Sequence, residues 1–203
     1  FFFKQKTAYE IKECDWSSDV CSSDLVAGCS MGGGVAQAFG GLFPDRAAGL
    51  GLVDTTAWYG AEAPATWRQR AATAKANGLG GMVEFQTSRW FGDAFRANRK
   101  DLVDAATKVF LSGDLNCYAA TCEMLGDADL RPYLPGLKMP VAVIVGEEDY
   151  ATPVAAAKQM HEAIAGSTLT ILNGRHLTPI ECPEQIAAEL FTVCERAAKR
   201  SAS

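Results

Sequence analysis

The chain has 203 residues, 48% of them hydrophobic and 21% charged, with a formal net charge of −5. That mild acidity argues against nucleic acid or an anionic membrane surface as the main partner, and no stretch reaches the roughly 18 apolar residues of a membrane helix. Seven cysteines without a Cys-x-x-Cys pair carry no zinc signature, so the expectation is reduced, buried thiols in a cytoplasmic protein that holds no metal.

Residues 1–25 stand apart from the rest. Phe1-Phe2-Phe3 and Lys4-Gln5-Lys6-Thr7-Ala8-Tyr9-Glu10-Ile11 have neither helical nor strand periodicity. Asp15 to Leu25 repeats Ser-Ser-Asp and offers no apolar core of a signal peptide. Both stretches resemble frame translations of a sequencing-library adaptor, so 1–25 is expected to be non-native and the folded chain to enter near Val26. The remaining 178 residues suffice for one domain with a sizeable core. Leaving out three lysines and five acids moves the net charge from −5 to −3, and leaving out Cys14 and Cys21 reduces seven cysteines to five.

Val26-Ala27 begins a short apolar strand that runs into Gly28-Cys29-Ser30-Met31-Gly32, a Gly-x-Ser-x-Gly pattern at a strand-to-helix turn. A serine there holds strained backbone so that its hydroxyl stands clear of the strand ends, and side chains at the flanking glycines would meet the neighbouring strand and helix. A glycine-rich helix start is the rival reading of this pattern alone. Val35 to Phe43 reads as a helix of small residues stopped by Pro44, and Ala48 to Asp54 as a strand buried on both faces. From Ala57 to Leu137 strand signals vanish. Helices are expected over 67–76, 81–90, 100–111 and 116–125, with Val103, Ala106, Thr107 and Phe110 on one apolar face. This block reads as a helical cap (57–137) inserted into a core made of 26–56 and 138–203. Val141 to Gly146 is the next strand, followed by a helix over 153–165, a strand over Thr168 to Leu172, and a helix from Pro183 to about Ala198. That last helix carries Ile186, Leu190, Val193 and Cys194 on one side. Strands separated by helices give an α/β fold, a mostly parallel sheet flanked by helices.

A serine hydroxyl needs a base to take its proton, and the chain has only two histidines. His161 lies mid-helix, where a solvated position explains it. His176 follows the last strand, at the sheet edge where ligands and reactive groups gather. The imidazole in turn needs a carboxylate to fix its tautomer, and Asp149 follows the preceding strand at that edge. Glu147 and Glu148 sit nearer the strand end, as solvated or turn-forming groups. Asp54, after the second strand, is a further candidate for that carboxylate because the same edge faces the site, with a cap on the loop that enters the lid as the preferred reading. Chain order is then Ser30, Asp149, His176.

Gly28-Cys29-Ser30-Met31-Gly32-Gly33, Gly146 to Pro153, and His176 to Glu184 together resemble the α/β-hydrolase superfamily. Arg89-Trp90-Phe91, Asp129-Leu130-Arg131 and Asp149-x-x-Thr152-Pro153 are similar to the 3-oxoadipate enol-lactonase-like branch, over Val26 to Phe191. The resemblance implies the C-terminal part of an α/β-hydrolase fold, no cofactor, nucleophile Ser30, acid Asp149, base His176 and the Met31 backbone N–H as an oxyanion donor. It implies a small ester or lactone substrate opened through an acyl-enzyme. A substrate carboxylate would meet Arg89, Arg131 or Arg175, with Trp67, Trp90, Phe91, Phe95 and Tyr118 as pocket lining. A carbon–carbon bond hydrolase, an acyltransferase, a perhydrolase, or a ligand receptor that turns over slowly are the alternatives on this scaffold. The family's second oxyanion donor comes from an earlier loop that this sequence does not contain. The chain as written is therefore expected to be poorly soluble and nearly inactive, and its full-length parent active.

Overall fold

The computed structural model describes residues 24–201, so the adaptor-like segment lies outside the described residues except for Asp24 and Leu25. Those two residues open the first strand, β1 (Asp24–Cys29), two positions before the expected entry at Val26. Strand pairing uses only backbone groups, and Leu25 pairs with Gly49 and packs beside Val53 and Ile144.

β1, β2 (Ala47–Val53), β3 (Val141–Gly146) and β4 (Thr168–Leu172) form a parallel sheet in that spatial order. Gly28, Leu52, Val143 and Leu169 lie side by side across it. All six residues of β3 are buried because both faces are covered. Val141, Val143 and Val145 join Ala36 of α1 (Met31–Leu42) and Ala157 and Met160 of α7 (Val154–Ala163). Ala142 and Ile144 point the other way, to Ile186 and Val193 of α9 (Pro183–Ser201). Each fully buried Val or Ile here stabilises the fold by about 1.5–3 kcal/mol relative to exposure. The buried side of α9 ends on Ala197 rather than Cys194, which is exposed, because positions 186, 190, 193 and 197 keep the helical period. The thiols likewise depart from expectation: Cys122 and Cys182 are buried, Cys29 is half-buried, and Cys117 and Cys194 face solvent.

Between β2 and β3 the described residues are helical: α2 (Ala63–Asn77), α3 (Val83–Trp90), α4 (Asp93–Asn98), α5 (Lys100–Leu111) and α6 (Leu115–Asp127). An isolated bridge from Trp58 to Asp129 closes the base of this segment. α2 starts four residues earlier than the pattern suggests, since Pro64 fits a first helical turn. It packs on α6 through Ala71, Ala119 and Cys122. Val103, Ala106, Thr107 and Phe110 share a half-buried face of α5. α4 has no counterpart in the sequence reading.

Candidate active site

Ser30 is the turn between β1 and α1, with φ 54° and ψ −117°. Left-handed backbone at a non-glycine residue is costly and persists only where neighbours enforce it. Here the Ser30 N–H donates to the Val53 carbonyl at 2.9 Å, and the Ser30 carbonyl accepts from Thr55 Oγ1 at 2.8 Å. Of the two glycines that flank it in the motif, Gly28 is sterically required as expected and Gly32 is not. A Cβ on Gly28 would lie 2.1 Å from the Gly32 carbonyl group, and one on Gly33 2.5 Å from Thr55 Cβ. Gly32, the second glycine of the motif, has open space at its Cβ position. The close approach to the neighbouring loop is made one residue later.

His176 follows β4 and is 7% exposed. Its Nε2 is 2.9 Å from Ser30 Oγ, and its Nδ1 is 2.8 Å from Asp149 Oδ2. Asp149 follows β3. Its Oδ1 accepts from the N–H groups of Ala151 (2.8 Å) and Thr152 (2.9 Å), and its Oδ2 also accepts from Thr152 Oγ1 at 2.7 Å. A carboxylate offers only acceptors, so the proton on this side of the imidazole sits on Nδ1 and donates to Asp149. Nε2 is then a lone pair directed at the Ser30 hydroxyl. Met31 opens α1, where the first N–H groups have no acceptor inside the helix. The structure therefore brings Ser30, Asp149, His176 and the Met31 amide to one sheet edge.

Glu147 and Glu148 are exposed, and Glu148 pairs with Arg175 at 2.9 Å. His161 is half-buried, not solvated, with Nδ1 2.7 Å from Ser167 Oγ. Asp54 is fully buried with φ 44°. Its Oδ1 accepts from the Gly146 N–H at 3.0 Å, and its Oδ2 from the Thr178 N–H (2.9 Å) and Oγ1 (2.7 Å). It ties the ends of β2 and β3 to α8 (Thr178–Glu181), two residues beyond His176. Burial pushes its carboxyl up to about 6, while the Thr178 hydrogen bonds pull the other way. Burial, with Asp54 next in weight, also raises the nearby Cys29 thiol far above its ordinary value.

A cavity of about 710 Å³ opens above Ser30 and His176, walled by α2, α3 and α6. Trp67, Arg89, Trp90 and Tyr118 line it, as does Ala151 from the Asp149 loop. Phe91 and Phe95 do not. Phe91 is fully buried and stacks on Phe95 at 5.3 Å, behind the wall. Arg131 is also elsewhere: it pairs with Asp129 at 2.6 Å, covers the Trp58 ring and borders a separate groove. Arg175 points into the α3–α4 junction, bonded to the carbonyls of Ser88 and Phe91.

Sequence reasoning missed Tyr59, Arg70 and Gln86. Arg70 donates from Nε to the Tyr118 hydroxyl at 2.9 Å and from Nη2 to Gln86 Oε1 at 2.5 Å. Its guanidinium lies 4.9 Å from the Phe85 ring centroid and that of Arg89 5.1 Å from the same ring. Among the described residues neither is ion-paired, unlike Arg68, Arg96, Arg99, Arg131 and Arg175. Burial, and then the charge of Arg70, lowers Arg89 from its ordinary value. Burial also raises the Tyr59 hydroxyl to about 12. A smaller apolar branch of about 140 Å³ leaves Ser30 on the other side, between α1 and α6, past Val35, Ala38, Leu125 and Leu130.

A parallel sheet with helices on both faces, with a serine at the strand–helix turn and a histidine–carboxylate pair at the same edge, defines the α/β-hydrolase class of fold. A family profile described as the alpha/beta hydrolase family matches residues 8–189, and the chain belongs to that family. It is 33% identical over 169 residues to 3-oxoadipate enol-lactonase 2 of Acinetobacter baylyi, covering 83% of this chain and 62% of that protein. It is 29% identical over 119 residues to 3-oxoadipate enol-lactonase 1 of the same organism, covering 59% and 45%. Among solved structures, the enol-lactonase from Burkholderia xenovorans LB400 superposes with a TM-score of 0.79 at 30% identity, covering 88% of this chain and 66% of that one. A thermophilic esterase from Thermogutta terrifontis, with malate bound, superposes with a TM-score of 0.79 at 27% identity, covering 87% and 66%. The chain thus spans less than two thirds of the length of the curated relatives it matches.

Proposed function

We propose that the intact protein is a cofactor-free serine hydrolase that opens a small ester or lactone through an acyl-enzyme. The observation that carries this is the continuous contact from Ser30 Oγ to His176 Nε2 (2.9 Å) and from His176 Nδ1 to Asp149 (2.8 Å). As Ser30 Oγ attacks the acyl carbon, its proton passes to Nε2 and the imidazolium is stabilised by Asp149. The carbonyl oxygen becomes an oxyanion, for which the Met31 N–H, free of an acceptor inside its helix, is the proposed donor. Nε2–H then protonates the leaving alkoxide, which in a lactone stays tethered to the acyl group. Water, deprotonated by the same nitrogen, attacks the Ser30 ester, and collapse frees the acid and restores the serine.

The two enol-lactonase names among the relatives favour a lactone, and the cavity chemistry favours one that carries a carboxylate. Arg89 and Arg70 are the cations left to receive it, since Arg131 and Arg175 are engaged outside the cavity. Trp90 and Tyr118 provide apolar and hydroxyl-bearing walls to the same space. The test is a panel of enol-lactones, aryl esters and vinylogous diketones offered to the intact protein and to its Ser30→Ala variant. Saturable ester or lactone hydrolysis that disappears in the variant is expected. Preferred cleavage of the diketones, or tight binding without turnover, would replace this reading by carbon–carbon bond hydrolysis or by a receptor.

A further inference from the structure

The loop that carries His176 is fastened to the cavity wall through one carboxylate that has no role in the chemistry above. The carbonyl of Trp90 accepts from the N–H groups of both His176 (3.1 Å) and Leu177 (3.0 Å). Two residues beyond Trp90 and one before His176, the N–H groups of Gly92 and Arg175 are both donors, and neither can serve the other. Glu181, on α8, accepts from both: Oε1 from Gly92 at 2.8 Å and Oε2 from Arg175 at 2.5 Å. The backbone makes room for it. A Cβ on Gly92 would sit 3.3 Å from Oε1, and one on Gly174 3.2 Å from Oε2. The Arg175 side chain adds bonds to the Ser88 and Phe91 carbonyls at 2.8 and 3.1 Å, and to Asp93 and Glu148 at 3.2 and 2.9 Å.

We infer that Glu181 is a positioning residue that locks His176 to the α3–α4 junction, so that the base and the Trp90 wall of the cavity move as one body. This rests on the reading of His176 as the base for Ser30. Trp90 lines the cavity and gives its carbonyl to the His176 amide, so a ligand pressing on Trp90 is one hydrogen bond from the main chain of His176. Both Glu181 oxygens act as acceptors, so the isosteric Glu181→Gln places an NH₂ against a backbone N–H. The two segments then part at that point, and a misplacement on the order of 1 Å costs about 100-fold in rate.

The experiment uses the intact protein. Active sites are counted by stoichiometric fluorophosphonate titration, and kcat is divided by that count. In Glu181→Gln, a kcat per titrated site at least about 10-fold below wild type supports the inference. A kcat per site within threefold of wild type overturns it, as does an activity loss matched by an equal loss of titratable sites, which is the mark of a merely structural residue. Amide hydrogen exchange of the wild-type protein supplies a measurement that needs no variant. Gly92, Arg175, His176 and Leu177 are expected to exchange together and slowly, and fast exchange of Gly92 or Arg175 overturns the inference. If wild-type Ser30 takes no label, the proposed function fails, while the exchange measurement still decides whether Glu181 makes the lock.

Discussion

Replacing Asp149 by Asn tests the proton bookkeeping of the site without changing its shape. Asp149 receives four donors: two backbone N–H groups on Oδ1, and Thr152 Oγ1 and His176 Nδ1 on Oδ2. An asparagine satisfies the two backbone donors with its carbonyl and turns its NH₂ toward Nδ1. That nitrogen must then become the acceptor, so the imidazole proton moves to Nε2, facing Ser30 Oγ at 2.9 Å. The base no longer has a lone pair for the serine proton. A wrong tautomer of this kind lowers kcat by about 10⁴-fold in serine hydrolases of unrelated fold, roughly 5 kcal/mol of transition-state stabilisation. Asp149 does not line the α2–α3–α6 cavity, so KM is expected to change little. Steady-state hydrolysis of a small ester by the intact protein, with circular dichroism to verify folding, measures both. A folded Asp149→Asn variant that keeps a tenth of wild-type kcat would refute the tautomer argument.

Asp54 predicts a pH signature of stability. Its folded value of about 6 lies above its unfolded 3.8, so folding takes up its proton. That contribution is complete below the unfolded value and is lost as pH rises through about 6. Between about pH 4 and 7.5 the unfolding free energy of wild type should fall by on the order of 2 kcal/mol relative to Asp54→Asn, read from urea titrations at each pH. A difference independent of pH would remove the case for a raised Asp54. The glycines predict a contrast at neighbouring positions. Gly28→Ala drives a methyl to 2.1 Å from Gly32 backbone and should cost about 1–3 kcal/mol by denaturant unfolding. Gly32→Ala meets open space in the first turn of α1 and should be neutral or stabilising by up to about 1 kcal/mol. Equal losses at the two sites would contradict the packing described.

What the sequence revealed depended on how local the signal was. β2 and β3 are short apolar runs between turn formers, the pattern of strands buried on both faces, and β4 shows alternation with β-branched residues, so all three were legible to within a residue. Ser30, Asp149 and His176 were legible as candidates because each follows a strand at the same edge, and two histidines leave little choice. α4 was not, because its six residues carry no apolar period and its start is held from distant parts of the chain, by Arg175 at Asp93 and by Glu181 at the preceding Gly92. Arg70 was hidden for a similar reason. α2 buries only alanines, Ala63, Ala71 and Ala74, so nothing in its pattern tells which of its charged residues faces inward. Only the packing of α2 on α6 turns Arg70 toward Tyr118. Arg131 and Arg175 stand in recognisable motifs, yet their charge is taken up by nearby carboxylates and carbonyls. Gly32 shows the reverse: the motif names it together with Gly28, while the steric demand falls on Gly28 and on Gly33, which the motif does not name.

Intact-mass analysis of the full-length protein after brief exposure to a fluorophosphonate tests the Ser30–His176–Asp149 assembly most directly. One adduct per chain is expected, mapped by peptide sequencing to Ser30 and slowed by orders of magnitude in His176→Ala. Labelling at another residue, or at Ser30 with a rate indifferent to His176, would contradict it.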